Sequence, residues 1–73
     1  MQNFDYEIIE HITTLKENIT GNYTTEVNLI SYNGTAPKID IRKWDRANNR
    51  MLRGISLTED EAKQLKECLA TRF

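Results

Sequence analysis

The chain has 73 residues, of which 38% are hydrophobic and 29% are charged, with a formal net charge of −1. That length predicts one domain over residues 1–73, close to the lower limit for a self-sufficient hydrophobic core, so pairing with a second copy would help. The single cysteine excludes an intramolecular disulfide, and no apolar run is long enough to span a membrane. We therefore expect a soluble, cytoplasmic protein with no membrane partner.

The first candidate element is the run YEIIEHITTLKENI, which fits two patterns. A helical stripe would contain Phe4, Ile8, Ile12, Leu15 and Ile19. The many β-branched residues favour a strand instead, because their side chains lose rotamer freedom in a helix. We predict a strand, followed by a loop over residues 18–25 that returns the chain antiparallel.

Three further runs predict strands. EVNLISY is followed by the turn Asn33-Gly34, whose residues tolerate positive φ, and then by PKIDIRKW, so these two runs form a hairpin. A second turn at Asn48-Asn49 leads into MLRGISL, where Gly54 indicates a bulge or a close backbone approach.

The segment LTEDEAKQLKECLATRF predicts an amphipathic helix of about three turns. Thr58, with Glu61 three residues later, matches a capping box, and one apolar stripe contains Ala62, Leu65, Cys68 and Leu69. The predicted fold is α+β, a four-stranded antiparallel meander followed by one C-terminal helix. One sheet face takes the helix, and the other is solvated, covered by a second chain or used for binding.

The strand KIDIRKWD places different residues on its two faces. Alternation sends Ile39 and Ile41 toward the helix, while the opposite face receives Lys38, Asp40, Arg42 and Trp44. In one interpretation that opposite face is solvated, with Arg42 paired to an aspartate and Trp44 capping the sheet edge. In the other it binds a ligand, and the alternation alone favours neither.

Charge is distributed unevenly along the chain. Residues 38–53 contain six cations and two acids, a local balance of +4, so the remainder of the chain sums to −5. Phosphates respond to the local field within a Debye length of roughly 8 to 10 Å, so the basic middle matters more than the total. Cations beside aromatic side chains suit single-stranded nucleic acid, whose phosphates they neutralise and whose bases stack on the rings.

Catalytic patterns are absent from the sequence. His11 is the only histidine, Cys68 lies in the apolar stripe, and there is no triad order, glycine-rich phosphate loop or HExxH motif. We expect no enzymatic activity, no metal or cofactor, and no small-molecule substrate.

An ordered set of short motifs carries a family resemblance. The set comprises YNG at 32–34, IDIR at 39–42 followed by Trp44, RGISL at 53–57, and QLK at 64–66. It resembles the single-stranded-DNA-binding domain of the transcriptional coactivator positive cofactor four, and more narrowly its small bacterial and phage relatives, from about Glu26 to Leu69.

The resemblance implies a curved antiparallel sheet and a homodimer formed through the helices, with Leu65, Cys68 and Leu69 at the dimer contact. It further implies sequence-independent binding of single-stranded DNA in transcription regulation, replication or repair, with RNA as a second candidate ligand. The bacterial relatives are compatible with a cytoplasmic protein associated with the nucleoid.

Carried over by position, Tyr32 and Trp44 match stacking aromatics, Arg42 matches a phosphate-contacting arginine, and Arg53 replaces a lysine. Lys38 stands near a basic position of the family, Asn33 replaces a hairpin lysine, and Lys16 lies in a longer first strand. The candidate nucleic-acid-binding residues are therefore Lys16, Tyr32, Asn33, Lys38, Arg42, Trp44 and Arg53.

The alternative function is a protein–protein interaction module that uses the same aromatic and basic face, because Trp, Tyr and Arg are also enriched at interface hot spots. The salt dependence of binding distinguishes the two functions. Binding through phosphate contacts weakens steeply as the salt concentration rises, whereas a protein interface centred on tryptophan should weaken less.

Overall fold

A computed structural model describes residues 5–18 and 20–73. Four antiparallel strands lie in the order β1-β2-β3-β4 and are followed by one helix. Their bounds are Tyr6–Asn18 for β1, Tyr23–Tyr32 for β2, Lys38–Asp45 for β3, Arg50–Leu57 for β4 and Glu59–Ala70 for α1. The predicted α+β meander with a C-terminal helix is confirmed. Phe4 and Ile19 of the alternative helical stripe lie outside the described residues.

Asparagine and glycine form the turns between the strands, as predicted. Asn33 and Gly34 have φ of 51° and 76° in the β2–β3 turn, and Asn49 has φ of 50° before β4. The loop predicted over residues 18–25 is shorter than expected, because β1 extends to Asn18 and β2 begins at Tyr23. Asn22, with φ of 58°, lets the chain reverse in that short connection.

Regularly spaced bulges interrupt β1. Its pairing with β2 shifts register three times, and the residues passed over are Ile9, Ile12 and Leu15. Each lies three residues after the previous one, and each is about half exposed. In a regular strand every second residue lies on the same face, and a bulge adds one residue to that spacing. Apolar side chains therefore recur every three residues, which is close to the spacing along one side of a helix. The bulges thus explain why this run also fitted a helical stripe.

The close approach predicted at Gly54 is confirmed. A Cβ atom at this position would lie 2.6 Å from the carbonyl oxygen of Ile41 and would overlap Arg42. The β3–β4 register also shifts here, between the pairs Arg42–Gly54 and Trp44–Met51.

The sheet has two distinct faces. The helix face contains two rows of paired apolar residues, Val27-Ile41-Ile55 and Leu29-Ile39-Leu57. The helix α1 contacts β3 and β4, and Ile39 borders a hollow with Ala62 and Lys66 of the helix. The isoleucines of β3 therefore lie on the side of the helix, as the alternation predicted.

The other face, here called the inner face, is enclosed by curling of the sheet. Tyr6 pairs with Tyr32 and Trp44 pairs with Thr24, positions eight residues apart on β2, which is about 26 Å along a straight strand. Yet the Tyr6 and Trp44 rings lie only 5.9 Å apart. Curling therefore buries the residues at the centre of this face, which are Glu26, Asn28, Ile30, Asp40 and Trp44.

The capping box of α1 is confirmed. The Glu61 backbone N–H donates to Thr58 Oγ1 at 3.2 Å, and the Thr58 backbone N–H donates to Glu61 Oε1 at 2.8 Å. Within the single chain no residue of α1 is fully buried. In the part of the chain that the structure describes, no helix is long and apolar enough to cross a membrane.

Candidate nucleic-acid interface

Asp40 is the centre of a hydrogen-bonded cluster on the inner face. Its carboxylate has no exposed surface and accepts from Arg42 Nε and Nη2 at 2.9 and 2.8 Å. It also accepts from the Tyr32 hydroxyl at 2.6 Å and from Ser56 Oγ at 2.8 Å. Burial opposes ionisation, but these donors outweigh it and hold the pKa of Asp40 below its usual value. The cluster consequently joins β2, β3 and β4 through one buried carboxylate.

Glu26 is the centre of a second cluster. It accepts from Arg46 Nε at 2.8 Å and Nη2 at 2.5 Å, and from Thr24 Oγ1 at 2.5 Å. Asn28 donates to the same carboxylate at 3.3 Å, and His11 Nδ1 lies 3.6 Å from it. Burial alone would raise the pKa, but the donated hydrogen bonds lower the pKa of Glu26 to about 2.

The lowered pKa of Glu26 predicts a loss of stability in acid. The folded state favours the charged carboxylate, so this contribution is fully present above about pH 4.5 and is lost as the pH falls toward 2. The shift corresponds to about 3 kcal/mol of unfolding free energy. Urea denaturation at pH 7 and pH 3 should show a smaller acid loss for Glu26→Gln than for the wild-type chain. Equal losses would contradict the assignment, because the Asp40 contribution is common to both proteins.

Trp44 is fully buried on the inner face, next to Tyr6 and Arg46. It has no exposed surface, its ring lies 5.9 Å from that of Tyr6, and the Arg46 guanidinium lies over it at 4.5 Å. Its Nε1–H has no hydrogen-bond partner among the described residues. The expectation that Trp44 offers an exposed stacking ring is therefore wrong, because the indole has no exposed surface and packs against Tyr6 and Arg46.

Tyr32 and Arg42 lie together, as the sequence predicted, but they are engaged with the protein. Arg42 donates to Asp40, to the Tyr32 hydroxyl at 3.2 Å and to the Leu52 carbonyl at 2.9 Å. The pairing of Arg42 with Asp40 agrees with the first of the two interpretations of this face, in which Arg42 is paired to an aspartate. A phosphate contact by Arg42 stays a prediction, and it would have to replace some of these bonds.

Asn33 and Lys38 flank the β2–β3 turn. Asn33 Oδ1 accepts from the Asp5 backbone N–H at 3.0 Å, and the Asn33 backbone N–H donates to the Asp5 carbonyl at 2.8 Å. Asn33 thus ties the start of β1 to the turn, while Lys38 is exposed beside the helix and lines a hollow with Lys63 and Lys66.

The cations of the basic middle segment divide into two groups. Arg42, Arg46 and Arg50 form salt bridges, with Asp40, Glu26 and Asp45 respectively. The second group is exposed and forms no salt bridge among the described residues; it contains Lys38, Lys43 and Arg53, together with Lys16 from β1. The charge count of the segment could not show that Arg46 is paired, because its partner Glu26 lies outside the segment.

The fold and these positions can be compared with known proteins. The family model described as Transcriptional Coactivator p15 (PC4) matches residues 22–68, well over half of the chain. The chain belongs to the PC4 family. An uncharacterized protein of Treponema pallidum (strain Nichols) is 34% identical over 67 residues, which cover 92% of this chain and 78% of that protein.

PC4 membership confirms the family predicted from the motifs and implies nucleic-acid binding with a coactivator-like role. The matched segment contains every predicted nucleic-acid-binding residue except Lys16, and it includes Lys43, which the sequence analysis did not select. The sequence analysis counted Lys43 among the cations of the basic segment but assigned it to neither face; the strand register puts it on the same side as Ile39 and Ile41. Its position at the far end of β3 from the helix leaves it exposed.

The three residues predicted for a dimer contact lie on α1 and are exposed in the single chain. Leu65 and Leu69 are 37% and 45% exposed, and Cys68 is exposed as a free thiol. Ile55 on the same side of the sheet is 58% exposed. In the described residues no group of three or more histidine, cysteine or acidic side chains could hold a metal ion.

Proposed function

We propose that this PC4-family chain is a non-enzymatic protein that binds single-stranded DNA with little dependence on sequence. The observation that carries the proposal is the set of exposed cations that form no salt bridge within residues 5–18 and 20–73, in a chain whose net charge is −1. On an ordinary solvated face, charges of both signs are interspersed. In the basic segment of residues 38–53, both acids are already paired, Asp40 with Arg42 and Asp45 with Arg50. The remaining cations are free to neutralise phosphates.

Single strands are favoured over duplex because the cations accompany an exposed aromatic ring. Tyr23 is 40% exposed and lines the same hollow as Lys16 and Lys43. An unpaired base can stack on such a ring, while the bases of a duplex are already stacked on one another.

We also propose that two chains associate through their helix faces. The helix contributes no buried residue to its own chain, and apolar surface is exposed on the helix at Leu65 and Leu69 and on the helix face of the sheet at Ile55. A second copy would remove that surface from water and enlarge a core that is small for an independent domain.

Binding can be tested by fluorescence anisotropy of a dye-labelled oligo-dT of about 16 nucleotides. We expect submicromolar affinity at low salt and weaker binding of a duplex of equal length. Each phosphate neutralised on a single strand contributes about −0.7 to the slope of log K against log salt, so the four exposed cations predict a slope of about −3 if all of them contact phosphates and about −2 if three do. An oligo-rU arm compares RNA with DNA. Absence of binding to every nucleic acid, or binding without salt dependence, would favour the protein-interaction alternative and contradict the proposal.

Association can be tested by light scattering coupled to size-exclusion chromatography. The wild-type chain should elute with twice its mass of 8.6 kDa, and Leu65→Glu with Leu69→Glu should elute as a monomer, because each charge would be buried without a partner. Lys66→Glu, an exposed change on the same helix, is the matched control. A wild-type monomer at high concentration would contradict the dimer.

A further inference from the structure

A groove crosses the helix face beyond the end that the helix covers. One part is a hollow of about 360 Å³ lined by Lys16, Asn18, Tyr23, Thr24, Thr25, Lys43 and Leu52. The adjoining part shares Thr25, Lys43 and Leu52 and continues to Ile41, Arg42 and Arg53. The two hollows are therefore continuous, and among the described residues no aspartate or glutamate lines either of them.

Strand register arranges the cations of this groove in a row. Lys16 of β1 pairs with Thr25 of β2, and Thr25 pairs with Lys43 of β3. The β3–β4 bulge then places Leu52 and Arg53 opposite Lys43. Neighbouring strands are about 4.8 Å apart, so the row spans about 14 Å across the sheet.

The bulge is what makes the groove cationic at its β4 end. Gly54 and Met51 are the partners of Arg42 and Trp44, which are separated by one residue on β3. In a regular ladder one residue would also separate the two partners, but here two residues, Leu52 and Arg53, lie between them. Both lie against the hollow that also contains Lys43, so Arg53 joins the row while Leu52 supplies an apolar floor. Gly54 permits this arrangement, because any side chain there would meet the β3 backbone.

Tyr23 supplies a ring at the β1–β2 end of the groove. Its neighbour Gly21 packs directly against it, since a Cβ atom at Gly21 would lie 2.6 and 2.7 Å from two ring carbons. The ring is thus supported on one side by backbone and is 40% exposed. A supported, partly exposed ring beside unpaired cations has the two features that recognise a nucleotide of an unpaired strand.

We propose that single-stranded DNA crosses this groove on the helix face, with phosphates at Lys16, Lys43 and Arg53 and with one base stacked on Tyr23. The proposal rests on the single-strand binding proposed above and assigns its site to the face opposite Trp44. The inner face stabilises the sheet and does not contact the DNA, because its Arg42 and Arg46 form ion pairs with Asp40 and Glu26.

The test compares variants in the anisotropy titration with labelled oligo-dT. Lys43→Ala should weaken binding about fivefold and reduce the salt slope by about 0.7, the value for one phosphate on a single strand. Tyr23→Leu should weaken binding about tenfold with an unchanged salt slope, whereas Tyr23→Phe, which keeps the ring, should bind as the wild type does.

Lys66→Ala is the matched control, since Lys66 is an exposed lysine on the helix outside the groove. Wild-type affinity in both Lys43→Ala and Tyr23→Leu, with oligo-dT binding intact, would overturn the groove and leave the proposed function standing. If the wild-type chain itself fails to bind oligo-dT, the proposed function fails, and the groove assignment fails with it.

Discussion

Replacing Trp44 with alanine is expected to remove most of the stability of the fold. The indole has no exposed surface and fills the space between Tyr6 and Arg46. Loss of a buried tryptophan costs about 4 kcal/mol through lost transfer energy and the cavity left behind. A chain of this length has roughly 4 to 11 kcal/mol in total. Thermal denaturation should therefore show a midpoint lower by roughly 20 °C, or an unfolded variant.

Two controls separate packing from other effects of the Trp44 change. Trp44→Phe keeps an aromatic ring in the site and should retain a folded chain with a smaller loss. Phe73→Ala removes a ring that is 99% exposed and should leave the midpoint unchanged. A Trp44→Ala variant as stable as the wild type, or wild-type tryptophan emission typical of a water-exposed indole, would contradict the enclosed position of Trp44.

Replacing Asp40 with asparagine is expected to have the second large effect. The change keeps the shape of the side chain but removes the charge that holds Arg42, whose side chain is only 16% exposed. It also places an amide where Arg42, Tyr32 and Ser56 all donate. Breaking one partner of a buried ion pair costs about 4 kcal/mol, because the other charge is left uncompensated.

The Asp40 prediction can be checked by urea denaturation at pH 7. Asp60→Asn, a change of the same chemistry in the exposed first turn of α1, should cost about 0.5 kcal/mol. Adding Arg42→Met to Asp40→Asn should recover part of the loss, because the unpaired charge is removed. If Asp40→Asn were as stable as Asp60→Asn, the buried Asp40 cluster would not hold the strands together.

The fold could be predicted from the sequence to a large extent because its signals are local. The capping box at Thr58, positive-φ residues at Asn33 and Gly34, and the close approach at Gly54 each depend on a few neighbouring residues. The bulges of β1 could not be located, because a bulge depends on pairing with β2 and leaves a three-residue spacing that also fits a helix.

The site was harder to predict, because burial on the inner face depends on curvature. Alternation correctly put Arg42 and Trp44 on one side of β3, but it assumed that the side opposite the helix is open. The sheet curls until Tyr6 reaches Trp44, so that side becomes enclosed without any helix. Lys43 was not selected either, because the sequence does not show how far along β3 the helix extends, and Lys43 is exposed on the helix side of the strand.

The proposed DNA groove lies on the helix face of the sheet, whereas the alternation of β3 alone points to the face that contains Arg42 and Trp44. Nuclear magnetic resonance of the ¹⁵N-labelled chain with added oligo-dT tests this directly, because backbone amides and the indole N–H of Trp44 report separately. We predict shifts at Lys16, Tyr23, Lys43 and Arg53 with an unchanged indole signal. Shifts centred on Tyr32, Arg42 and the Trp44 indole, with the groove unaffected, would contradict the account.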